Sequence, residues 1–160
     1  MKTLSISTKI NALIIFSIMV IAFALIYSVN QVVEKAMLNT YENNLKNLSL
    51  SNYQYLDSLY KGEWHVQENT LYKGDEKVEN MTTQLDEIQK KMDIVSTIFL
   101  NDTRIATNVK IDGERAIGTK ADKRVAQKVL NGETYIGIAD VVGIPHLTVY
   151  KPIKNSSGEV

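Results

Sequence analysis

The sequence predicts an α+β protein. An N-terminal transmembrane helix continues into a long helix, and that helix packs on an antiparallel β-sheet. Three observations carry the prediction. The run "INALIIFSIMVIAFALIYSV", 10–29, contains no charge, and Asn11, Ser17 and Ser28 are its only clearly polar residues. The next stretch, 30–61, keeps apolar residues at helical spacing with no Gly or Pro. Beyond Met92, β-branched runs alternate with Asn-Asp, Asp-Gly and Gly turn signals.

The apolar run comes first. About twenty residues at about 1.5 Å each span a bilayer core of about 30 Å. Lys2 and Lys9 precede it, and the first charges after it, Glu34 and Lys35, cancel. The positive-inside rule therefore puts 1–9 in the cytoplasm, 10–29 across the membrane and the rest outside. Tyr27 suits the outer interface. A cleavable signal peptide is the alternative, since "AFA" at 22–24 has the small-x-small form. The apolar run continues past that point through Ile26 and Val29, which favours an uncleaved anchor.

In 30–61, Val33, Met37, Tyr41, Leu45, Leu48 and Leu59 fall near one stripe, with Leu38, Leu56 and Tyr60 alongside. Alone, such a helix cannot bury its stripe, so it needs a partner helix or a sheet. It is either a packing helix or a helix that dimerises and conducts a signal, and the two roles are compatible. The third region, 62–160, is expected to form the sheet domain. "GEWHVQENTLYKG" predicts a hairpin turning at Glu68-Asn69. Thr82 or Thr83 opens a helix through Met92, with Leu85, Ile88 and Met92 on one face. "DIVSTIFL" and "TRIATNV" are strands about Asn101-Asp102, and Asp112-Gly113 turns again. "ADKRVAQKVLNG" is a helix stopped near Gly132. "ETYIGIADVVG" and "IPHLTVYKPI" are strands meeting near Gly143. "KNSSGEV" turns toward a further strand that would pair back on "HLTVYKPI". That final strand is missing, so the sequence reads as a fragment of something longer.

Composition removes several functions. Eighteen basic residues balance eighteen acidic ones, so no global basicity argues for nucleic acid. With no cysteine and only His65 and His146, neither a Cys or His-rich metal site nor a His-based triad is expected. The eight glycines form no phosphate-binding pattern, and neither GxSxG nor HExxH occurs. Asp75-Glu76 and Asp86-Glu87 read as solvated faces. The expectation is a non-enzyme without cofactor or metal.

A tethered sheet outside a membrane suggests a sensor, because a captured ligand can bias the position of the helix. The strands supply candidate ligand-binding groups. On "VSTIFLNDTRIATNV", strict alternation puts Arg104, Ala106 and Asn108 on one face and Ile105, Thr107 and Val109 on the other. Arg104 and Thr107 share a face only if a bulge or bend intervenes. On the last strand His146, Thr148 and Tyr150 share a face, which either lines a polar pocket or is an ordinary exposed face. An Arg-bearing pocket suits a small carboxylate, which pairs bidentately with guanidinium.

The segments "TIFLNDTRIATNV", "GERAIGTKAD", "VLNGETYIGIADVVG" and "LTVYKPIKNSSGEV" closely resemble the extracellular single Cache (PAS-like) domain of bacterial methyl-accepting chemotaxis proteins. The resemblance implies a long helix on a five-stranded antiparallel sheet, with a small-molecule pocket on the opposite face. It implies a homodimer. It also implies a second membrane span, a HAMP relay and a cytoplasmic coiled coil that contacts a chemotaxis histidine kinase and an adaptor. Related carboxylate sensors carry R-x-x-H on one strand, and Arg and Lys before a Pro on a later one. This chain matches at Arg104, has Thr107 in place of His, and has Thr148 and Tyr150 before Pro152. One cation instead of several implies a monocarboxylate or another small polar ligand. The alternatives are the sensor region of a membrane histidine kinase or diguanylate cyclase, and an anchored structural protein that binds nothing.

Overall fold

The computed structural model describes residues 5–160. Of the expected cytoplasmic segment, 1–4 lie outside the described residues. The chain divides into two units, Met1–Tyr41 and Glu42–Val160. One helix, α1 (Ile6–Leu59), runs unbroken for 54 residues.

In the first unit α1 carries large apolar side chains on all sides, among them Leu13, Phe16, Ile18, Phe23 and Ile26, all more than half exposed. It is long and apolar enough to cross a membrane. Its one mid-span hydroxyl is satisfied within the helix, because Ser17 Oγ donates to the Leu13 carbonyl at 2.9 Å.

The second unit begins on the last turns of α1, where Asn52 and Leu56 are buried. Gly62 then turns the chain into β1 (Trp64–Gln67), β2 (Thr70–Lys73) and β3 (Glu76–Lys77), an antiparallel three-stranded sheet. The turn falls at Glu68-Asn69, as expected, with both residues at positive φ, 49° and 62°. The hairpin is fastened to α1 by polar groups. Trp64 Nε1 donates to Asp57 at 2.9 Å, and Lys73 Nζ pairs with the same carboxylate at 2.8 Å. Lys73 also donates to the Gly62 carbonyl at 2.6 Å and lies over the Trp64 ring, 5.5 Å from its centre, so its buried ammonium has two oxygen partners and a ring face. Gly62 and Gly74 make this crossing possible: a Cβ on Gly62 would lie 2.6 Å from the Gly74 Cα.

A 3-10 turn, Val78–Asn80, leads into α2 (Thr82–Met92). The helix opens at Thr82 and runs through Met92, as expected; Met81 occupies its cap without a side-chain bond, and its N–H returns to the Val78 carbonyl at 3.0 Å. The incoming 3-10 turn does the capping. Leu56, Val78, Met81, Leu85 and Ile88 form the core with Ile98 and Ala106. Each large aliphatic chain buried here contributes about 1.5–3 kcal/mol.

The remaining strands pair antiparallel as β4 (Thr97–Leu100) with β5 (Thr103–Thr107), β6 (Lys110–Ile111) with β7 (Glu114–Arg115), and β8 (Tyr135–Val141) with β9 (Ile144–Tyr150). Helix α3 (Lys123–Leu130) is capped by Asp122, which accepts the Arg124 N–H at 2.8 Å. The architecture is α+β, as the sequence predicts. The antiparallel pairs nevertheless form separate ladders instead of one five-stranded sheet. On its free edge β5 bonds the 118–120 segment: Arg104 N–H donates to Thr119 O at 2.9 Å and Gly118 N–H to Arg104 O at 2.8 Å.

Candidate ligand site around Arg104

The β4–β5 ladder is irregular at one place. Phe99 pairs with Arg104 and Ile98 with Ala106, so Ile105 is an extra residue opposite Ile98. This bulge is the condition on which the alternation argument turned. Thr97 pairs with Thr107, so Arg104 and Thr107 stand on the same face as Phe99 and Thr97. Ile98, Ile105 and Ala106 stand on the other face and pack on the core.

Arg104 is 1% exposed. Its guanidinium donates through Nη1 to the Thr119 hydroxyl and lies 5.2 Å from the centre of the Phe99 ring. Its Nε is buried with no acceptor. Among the described residues no carboxylate lies within ion-pair distance of it. Burial lowers its pKa, and the Tyr150 hydroxyl opposes that shift weakly. A buried cation held by one hydroxyl and one ring is an uncompensated charge.

Tyr150 completes the surroundings. Its ring lies 5.7 Å from Phe99 and 6.3 Å, edge-on, from Tyr135. Burial raises its pKa. Arg104 pulls it back, while Asp122, Tyr135 and Asp140 push it further up.

Thr107, fully buried, is on the right face but its hydroxyl is committed. It meets Thr97 Oγ1 at 2.6 Å, reaches the Ser96 carbonyl at 3.3 Å, and accepts the Val109 N–H at 3.0 Å. Thr148, opposite Gly137, donates its hydroxyl to the Gly137 carbonyl at 2.9 Å. His146 is four residues from Tyr150 along β9, about 13 Å away. It is exposed, with Nδ1 3.0 Å from the Ile144 carbonyl. The fold thus brings Arg104 and Tyr150 together, keeps Thr107 and Thr148 as braces, and leaves His146 at the hairpin's exposed end.

Three residues around Arg104 and Tyr150, namely Phe99, Thr119 and Tyr135, are not among the candidates that the sequence pattern marks out. Phe99 and Tyr135 had a signal, since counting outward from the Asn101-Asp102 and Val142-Gly143 turns places them opposite Arg104 and Tyr150. Thr119 had none, because it arrives from an irregular segment. A cleft of about 370 Å³ is bordered by Glu79, Thr82, Thr103, Arg104, Ile105, Ile117 and Gly118. Of the five predicted residues only Arg104 borders it, as the strand residue between Thr103 and Ile105. No cluster of metal-ligating side chains occurs among the described residues.

A membrane-length helix leads into an α+β unit that carries a buried cation on its sheet. The chain belongs to the single cache domain 3 family, which its residues 76–160 match. Cache domains are extracellular sensor domains that bind small molecules, and the family is typically non-catalytic. No curated protein and no solved structure matches the chain.

Proposed function

We propose that this chain is the sensor region of a bacterial methyl-accepting chemoreceptor and that it binds a small monocarboxylate at Arg104. In this reading 1–9 is cytoplasmic, 10–29 spans the membrane, 30–61 is the membrane-proximal helix and 62–160 is the sensor domain. The receptor is a homodimer. Through its output region it acts on the chemotaxis histidine kinase and adaptor. Exposure of Val33, Met37, Leu38 and Tyr41 on α1 supports a helix that pairs with a second copy.

The single observation behind the ligand reading is the Arg104 guanidinium, buried and without a carboxylate. A buried cation of this kind is costly unless an anion completes it. A ligand carboxylate would supply acceptors to Nε, a charge-assisted hydrogen bond that water supplies poorly in a closed site. One carboxylate is enough, because other cations of the domain are already engaged: Lys120 with Asp102, Arg115 with Asp86 and Arg124 with Asp122. Of the other candidates, Tyr150 walls the site, Thr107 and Thr148 brace the strands that carry it, and His146, at the hairpin's exposed end, stands apart from it.

The test is a thermal-shift screen of the full chain in detergent against acetate, propionate, lactate and pyruvate. At least one is expected to raise Tm, and Arg104→Ala is expected to abolish the rise. If no carboxylate shifts Tm, or if the variant keeps the full shift, the reading fails.

A further inference from the structure

One turn of the chain sets the guanidinium of Arg104. In "AIGT", 116–119, Gly118 has φ 79°, the left-handed value that a type II turn requires at its third residue. The Thr119 N–H closes this turn on the Ala116 carbonyl at 3.4 Å, and the Ala116 N–H anchors it to the Val109 carbonyl at 3.0 Å. The Thr119 hydroxyl donates to the same Ala116 carbonyl at 2.8 Å. Its one proton is thereby used, so it meets Arg104 as a fixed acceptor. Arg104 Nη1 donates to that hydroxyl. The Arg104 main chain is held by the same turn, donating to Thr119 O at 2.9 Å and accepting the Gly118 N–H at 2.8 Å. Through Ile117 and Gly118 the turn also borders the cleft of about 370 Å³ that Arg104 borders.

A guanidinium can take a carboxylate bidentately at its end, through Nη1 and Nη2, or at its side, through Nε and Nη2. Among the described residues Thr119 is the only hydrogen-bond partner of the Arg104 side chain, and it takes Nη1. Nε is buried with no acceptor. A carboxylate across the end would compete with Thr119 for Nη1 and leave Nε orphaned, which is costly in a buried site. A carboxylate across the side satisfies Nε and keeps the Thr119 bond. Resting on the carboxylate reading above, we infer that Thr119 is a positioning residue of the site: its hydroxyl holds Nη1, presents the Nε–Nη2 edge and makes the ligand carboxylate bind side-on.

The experiment is calorimetric titration of the full chain in detergent with acetate, propionate, lactate and pyruvate, on the wild type and three variants, below the ligand-free Tm of each. Thr119→Val and Thr119→Ala remove the hydroxyl and keep the main-chain bonds to Arg104, whereas Thr119→Ser keeps both. The acid that binds the wild type should bind the Val and Ala variants about tenfold more weakly and the Ser variant within about twofold of the wild type. A second readout separates positioning from bracing of the turn. With Nη1 released, the carboxylate can slip to the end of the guanidinium, so the shift of the Arg104 Nε–H NMR signal at saturation should fall by at least about half in the Val and Ala variants. Unchanged affinity in the hydroxyl-free variants, a Ser variant as weak as they are, or weakened binding with the full Nε–H shift overturns the positioning role and leaves the carboxylate reading standing. Binding of none of the four acids by the wild type overturns both.

Discussion

Arg104 and Thr107 are two buried polar residues with opposite relations to stability. Thr107 holds together the end of β5 through Thr97, Ser96 and Val109. Replacing it with Val would leave the Val109 N–H buried without an acceptor, so Thr107→Val should cost about 1–3 kcal/mol. Arg104 has one hydroxyl partner and an orphaned Nε. An apolar side chain of similar length removes that cost, as replacements of buried charges often do. Arg104→Met is therefore expected to leave the ligand-free protein unchanged or more stable by about 1 kcal/mol, while losing the response to carboxylates. Urea denaturation with and without ligand reads both effects. A loss of several kcal/mol in the free Arg104→Met protein would mean that the guanidinium is structural. The sequence singled out Arg104 because a permanent charge broke an apolar strand pattern. Thr107 entered through the R-x-x-H comparison; it stands on the same strand face as Arg104, and its hydroxyl is occupied by Thr97, Ser96 and Val109.

At the level of elements, ion pairs fasten helices to the strands. Asp57 on α1 holds Lys73 of β2, and Asp86 on α2 holds Arg115 of β7 at 2.6 Å. Arg115 also donates to the Thr107 carbonyl at 2.7 Å, so this pair reaches the end of the site strand. The hydrogen bond from Lys73 lowers the Asp57 pKa, and that from Arg115 lowers the Asp86 pKa. For a carboxylate depressed in the folded state, the contribution to stability is fully present above the unfolded value of about 3.9. It is lost as pH falls through the lower folded value. Tm should thus hold from pH 7 to about 5 and then fall, and Asp57→Asn should flatten part of that fall. An unchanged slope in the variant would remove Asp57 from the account. Most elements were legible because each has a local cause. The Glu68-Asn69 turn, Leu85 and Ile88 on α2, and Gly132 after α3 all sit where pattern and turn chemistry put them. The bulge was legible only as a condition. Ile105 has no sequence mark of an extra residue, and its place is set by two constraints: Ile98 and Ala106 must face the core while Arg104 stays opposite Phe99. The split into separate ladders was not legible either, because it depends on how irregular segments such as 118–120 approach β5.

For the whole molecule, a membrane-length apolar helix, a single-cache domain and a buried cation on the sheet are the observations behind the proposal of a sensor whose ligand is anionic at Arg104. The sequence holds only three arginines, Arg104, Arg115 and Arg124, and the other two already have carboxylate partners. Their side-chain Nε–H signals are therefore few enough to resolve by NMR of the full chain in detergent micelles, and Arg104→Lys assigns the one of interest. The most direct measurement is a titration of that signal with alanine, propionate, lactate and pyruvate. The account predicts that the Arg104 signal moves and sharpens on saturation with the compound that binds, while those of Arg115 and Arg124 stay in place. A stationary Arg104 signal at saturating concentrations of all four would contradict it.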